Sequence, residues 1–326
     1  MSVTFSGAFT FSGGGFTATL APPAGPTAGW FGGGFTSSPL TAISSVDRIT
    51  YATDTATATV RGPLSGITYG QASAGTFTQG WFGGGFTYPI GPPYRISTVQ
   101  RITYATDTAT ASVRGPLNIP LQYLCATSDQ TTNGWFVGGL TPGLVSTVQR
   151  ITYSTDTTAT SVRGPLSYEQ ARMGSVGNNT DGWFAGGSFG TGGNPNSGIQ
   201  RITYATDTAT ASARGPLTLA MRFSAGAGTS TQGWIAGKND LATNTNVQRI
   251  TYATDTATAS VRGPLSVDVF LMSASTDDTT YGWWGGGLTS TSVVQRITYA
   301  TDTVTASLKG PLTSARYATS ATSGIQ

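Results

Sequence analysis

RITYATDTATASVRGPL (residues 101–117) recurs in near-copy six times in a chain of 326 residues, starting at Arg48, Arg101, Arg150, Arg201, Arg249 and Arg296. Successive copies lie 47 to 53 residues apart, and in every copy the basic residue before Gly-Pro-Leu stands 13 positions after the first Arg. A constant phrase at a period of about 50 residues marks an array of like units. In Thr108–Arg114 the alternation puts Ala109, Ala111 and Val113 on one face and Thr108, Thr110, Ser112 and Arg114 on the other, which predicts a strand with a solvated outer face. Ala-Thr-Asp ahead of it reads as a turn in which the Asp bonds its own backbone two residues on, and Gly-Pro closes the strand.

Two further segments complete each unit. One is Gly-Trp followed by a bulky and then small residues: GWFGGG at Gly29 and Gly80, GWFVGG at Gly134, GWFAGG at Gly182, GWIAGK at Gly233 and GWWGGG at Gly282. The other follows Gly-Pro-Leu and varies: ITYGQASA, LQYLCATS, QARMGSVG, MRFSAGAG, VFLMSAST and RYATSATS. Four short strands per unit and six units predict an all-β, six-bladed propeller. The first GWFGGG has no variable strand before it, whereas the chain ends on one. Residues 316–322 are therefore expected to complete the first blade and close the ring.

Apolar residues ending in Gly-Gly, a loop, a strand reaching Tyr, a turn, a further strand, Pro and an Arg resemble the kelch repeat. Here these are WFAGG (183–187), ITYATDT (202–208), GPL (215–217) and Arg222. The resemblance spans residues 29–326 and implies a blade order, from the channel outward, of variable, Gly-Trp, RITY and TATASVR strands. Kelch units carry a Trp about six residues after the Tyr, where this chain has Ala or Ser, so packing between blades is expected to differ. The wording GWFGGG…RITYATDTATASVRGPLS also resembles repeats in proteins of marine bacteriophages and their bacterial hosts. That resemblance implies a virion component, a tail or capsid appendage.

Composition narrows the function. The single Cys125 sits in an apolar stretch and reads as a buried thiol. With no histidine, His-based triads and nearly all zinc or copper sites are excluded, and no cofactor is expected. The two repeated basic positions hold 12 of the 17 cations and the repeated Asp holds six of the 14 acids. That charge is spread around a ring rather than gathered in a stripe, against nucleic-acid binding. No secretory signal and no membrane span is read. Residues 1–28 stand outside the ring: Phe5, Phe9, Phe11 and Phe16 among Gly, Ser and Thr, then a Pro-rich linker, read as an arm docking on another virion protein or on a second copy.

Sixfold-repeated residues are expected to be framework, the RITY Arg pairing with the turn Asp and the tryptophans filling wedges between blades. Function is expected where copies differ. Loops between the Gly-Trp and RITY strands should share a face with those after Gly-Pro-Leu, bringing Tyr94, Arg95, Asn194, Asn196, Lys238, Asn239 and Asp240 to a host-surface or glycan contact. Arg172, Arg222 and Arg316 are expected near three inner-strand starts, at one mouth of the channel, as a trio suited to an anion. Such a trio resembles the carboxylate grip of sialidases, but the sialidase box is missing and Glu169 is the only glutamate. Glycoside cleavage wants two carboxylates. The expectation is a non-enzymatic structural or binding protein of a virion, with a bacterial surface adhesin as the alternative and a sialidase-type enzyme behind both.

Overall fold

The computed structural model describes residues 25–89, 94–190, 193–238, 245–288 and 291–323. Six four-stranded antiparallel sheets stand around a common channel. In blade 2 the order outward is Ala72–Gly75, Gln79–Gly83, Val99–Thr103 and Ser112–Arg114. The inner strands of blades 3 to 6 are Cys125–Ser128, Gly174–Gly177, Arg222–Gly228 and Ser273–Thr276. That of blade 1 is Ser320–Thr322, paired with Ala28–Gly32 so that Trp30 faces Thr322. The chain is thus a six-bladed β-propeller closed by its C-terminal strand, as the repeat predicts. Asn239, Asp240 and the four arm phenylalanines lie outside the described residues.

The wedge between blades is the same six times. Trp135 stacks on Tyr204 of the next blade with ring centroids 4.0 Å apart, and its Nε1 donates to Asp207 Oδ2 at 2.8 Å. Arg150 Nη1 reaches the same oxygen at 3.0 Å and Arg163 Nε at 3.4 Å. Trp81, Arg101 and Arg114 meet Asp156 in the same way, and Trp283, Arg296 and Lys309 meet Asp54 across the closing interface. One carboxylate per interface therefore accepts from an indole and a guanidinium and pairs with a second cation, which is what allows it to be buried. Burying each indole removes apolar area worth on the order of 4–6 kcal/mol from water.

Two local expectations change. The Asp of the turn reaches across to the preceding blade rather than to its own backbone; Thr106 O and Ala109 N close the turn at 3.0 Å. The outer strand spans only two or three residues, and the expected alternation holds at Ala111 and Ser112 but fails at the strand's end. Val113 is 60% exposed, while Arg114 turns inward to Asp156. The pull of a buried carboxylate outweighs the burial of one Val side chain. Close approach also explains the Gly of Gly-Pro-Leu. Gly115 N donates to Asp156 O of the next blade at 2.7 Å, and a Cβ there would run into Thr158 O.

The closing blade carries a variant found nowhere else in the ring. Where the third strands of blades 2 to 6 have Gln100, Gln149, Gln200, Gln248 and Gln295, blade 1 has Asp47. In blade 4 Gln200 Nε2 bonds Gln170 Oε1 at 2.9 Å, and in blade 5 Gln248 touches Met221. Arg316 occupies the same place as Gln170 and Met221 and lies 2.6 Å from Asp47, both side chains fully buried. It also donates to the Ser45 carbonyl, while Asp47 accepts from Thr313 N at 2.7 Å.

Candidate functional site

After each Gly-Pro-Leu the chain turns inward and enters the inner strand through one residue with left-handed backbone, six positions past the Leu. These residues are Gly70, Tyr123, Arg172, Phe223, Leu271 and Ala318, with φ between 52° and 64°. Their main chains bond from blade to blade: Tyr123 N to Gly70 O at 2.6 Å, Arg172 N to Tyr123 O at 2.9 Å, Ala318 N to Leu271 O and Gly70 N to Ala318 O at 2.7 Å. Ser224 N to Arg172 O and Leu271 N to Phe223 O complete a closed ring. The turn conformation swings these side chains to the mouth of the channel, where the copies differ most.

Below the mouth the channel narrows to about 90 Å³, lined by small residues such as Ser73, Cys125, Ser175 and Ala274. Ligand sites usually offer ~300–1,000 Å³, so a ligand would be met at the mouth and not in the bore. Burial pushes the Cys125 thiol well above its ordinary range, as expected of an inert core thiol.

The mouth is aromatic and cationic. Tyr123 and Phe223 flank Arg172, whose guanidinium carbon stands 5.2 Å and 5.0 Å from their ring centres. Arg222 lies 5.2 Å from the same Phe223, and Lys238 Nζ 4.3 Å from Phe270. Rings continue around the rim: Tyr69 sits 6.4 Å from Tyr123 and 5.4 Å from Phe86, which stacks on Tyr94. Desolvation raises the Tyr69, Tyr123 and Tyr317 hydroxyls, so they act there as neutral hydrogen-bonding groups. The two sets of loops share this face, as predicted, and isolated bridges such as Tyr69–Phe86 and Asn196–Met221 tie them together.

Of the candidates read from sequence, Tyr94 and Arg95 gather on Phe86, with Tyr94 exposed and Arg95 6.0 Å from the ring. Asn194 is exposed on a two-residue hairpin strand, whereas Asn196 is spent on structure, bonding Gly198 N and the Tyr168 hydroxyl. Arg172 and Arg222 reach the mouth together. Arg316 does not join them, being sealed in its pair with Asp47. Tyr69, Tyr123, Phe223 and Phe270 escaped the sequence reading. The signal was there: the positions five and six past the Gly-Pro-Leu Leu vary between copies of a frame that otherwise repeats almost verbatim. No family model matches this chain, and no curated protein matches it.

Proposed function

We propose that the chain is a non-enzymatic binding propeller that presents its channel-mouth face to a host-surface glycan, as an appendage of a bacteriophage virion. The observation that carries the binding reading is the mouth itself, a rim of half-buried aromatic rings interleaved with Arg95, Arg172, Arg222 and Lys238. Aromatic faces pack against the apolar faces of sugar rings, and fixed polar groups among them read hydroxyls. The virion reading rests on the likeness of the repeated phrase to phage proteins, which also extends to bacterial hosts and so supports the surface-adhesin alternative. A sialidase-type trio loses support, because one of its three arginines is neutralised inside a blade.

A glycan array probed with the whole chain tests the binding reading. Selective binding that Tyr123→Ala and Phe223→Ala reduce, with the melting temperature held, is the expected outcome. Peptides of this chain recovered from purified virions, rather than from bacterial envelopes, would favour the appendage over the adhesin.

A further inference from the structure

The first residue of each second strand changes from blade to blade. Ala28, Gln79, Asn133, Asp181, Gln232 and Tyr281 each pair with the Thr that follows Arg-Ile, at the end of the ring opposite the mouth. In two blades this residue covers the repeated Arg. The ring centre of Tyr281 lies 4.0 Å from the Arg296 guanidinium carbon, and Asp181 Oδ1 stands 3.5 Å from Arg201 Nε. Ala28 is too short to cover Arg48, whose side chain is 29% exposed against 20% for Arg296.

A groove of about 410 Å³ lies there between blades 1 and 2, walled by Pro26, Thr27, Trp30, Arg48, Phe77 and Tyr104. Its size falls within the ~300–1,000 Å³ of ligand sites. Phe77, at the tip of the hairpin that joins the first two strands of blade 2, is 37% exposed. The matching groove of blades 4 and 5, about 350 Å³, has Asp181 in place of Ala28 and Ser230 in place of Phe77. Of the two, the first alone sets an uncovered guanidinium beside an apolar wall. An aromatic ring suits both, with its face on the cation and its edge on Phe77. Tyr281 already lies on Arg296 in that way in blade 6.

The chain carries such rings close by. Gly25, Pro26 and Thr27 form one side of the groove, so residues 1–24 are attached at its lip. Tyr51 N donates to Thr27 O at 3.0 Å, and a Cβ on Gly25 would press on the Asp277 carbonyl, so that side is fixed to blades 1 and 6. The first phenylalanine before it is Phe16, nine residues from Gly25. Nine residues reach about 30 Å when extended, enough to turn back into the groove. The shortest loop is the cheapest to close, and a short tether holds a ring near its site at an effective concentration of order millimolar.

We infer that the Arg48 groove is the docking site of the chain's own arm, with Phe16 seated on the guanidinium against Phe77. The arm is thereby held at the end away from the mouth, and the aromatic rim of the mouth stays uncovered.

Chymotrypsin acting on the full chain tests this, because the protease must take the same ring into its own apolar pocket. Phe5, Phe9, Phe11 and Phe16 are each followed by Ser or Thr, so the first three are controls within one molecule. At low protease concentration, cleavage after Phe16 is expected to run roughly 10-fold slower than after the other three. Phe77→Ser, which copies Ser230 of blade 5, should raise it to the control rate. Ala28→Tyr, which copies Tyr281 and fills the groove with a ring of its own, should do the same; melting curves establish that each variant is folded. Equal cleavage after all four phenylalanines in the wild type would overturn the proposal, as would protection of Phe16 that survives in the folded variants. Protection that appears only as the chain concentration rises would seat the arm in a second copy and overturn it too.

Discussion

Each interface between blades hangs on one carboxylate. Asp207 takes the indole N–H of Trp135 and two guanidinium groups, and Asp207 is only 5% exposed. Removing it leaves two donors without their acceptor and two cations without their counter-charge, a kind of loss that costs about 3–5 kcal/mol. Asp207→Ala should lower the unfolding free energy from urea melts by that amount, whereas Val113→Thr on the exposed outer edge should stay within ~0.5 kcal/mol. Asp278 works in the opposite sense. Burial, and then the nearby Asp277 charge, raise its carboxyl from 3.8 to about 6. Because the folded value lies above the unfolded one, the fold favours the protonated form. Stability is therefore lost as pH rises from about 4 through about 6 and is regained on acidification. Gln130 fills the corresponding place in blade 3 with the same φ of 69°. Asp278→Gln should accordingly melt higher than the wild type at about pH 8, with the gap closing near pH 4 in thermal scans.

Among the blades, the first differs because its inner strand arrives from the far end of the chain. A neutral Gln serves in blades 2 to 6, but the clasp uses Asp47 against Arg316. A buried ion pair adds little net stability over a well-packed neutral substitute, yet leaving one partner alone is costly. Asp47→Gln alone should destabilise by about 3–5 kcal/mol, read as a lower unfolding midpoint. The double variant Asp47→Gln with Arg316→Met, which copies Gln248 and Met221 of blade 5, should recover most of it. Sequence made the blades legible because their strand order is written in glycines, prolines and turns that repeat with the backbone. It misplaced the outer strand, since alternation alone put Val113 inside, whereas the carboxylate that draws Arg114 inward belongs to a different blade. Arg316 misled for a related reason: its partner, Asp47, lies more than 260 positions away, and only closure of the ring brings them together. Tyr123, Arg172 and Phe223 are likewise dispersed along the chain and become one site only through the shared channel.

The whole ring is a single cooperative circuit, in which every blade supplies Trp and basic residues to the next and an Asp and a Tyr to the one before. Cutting the circuit where the end of the chain pairs with the first blade should therefore have long-range effects. Truncation after Lys309 removes the strand that pairs with Ala28–Gly32 and opens the edge of blade 1. We expect it to yield oligomers by light scattering, as exposed edges find other chains, and to be digested under conditions the intact chain resists.

The amide–carbonyl circle at the mouth gives the molecule a separate future from its framework. Its bonds run through main chain alone, and its six members already range from Gly to Arg to Phe on the same left-handed turn. Side chains there are carried without being needed for closure. Residue changes at these positions leave the circle's bonds in place, so under the binding reading proposed above the mouth can present a different surface on an unchanged ring.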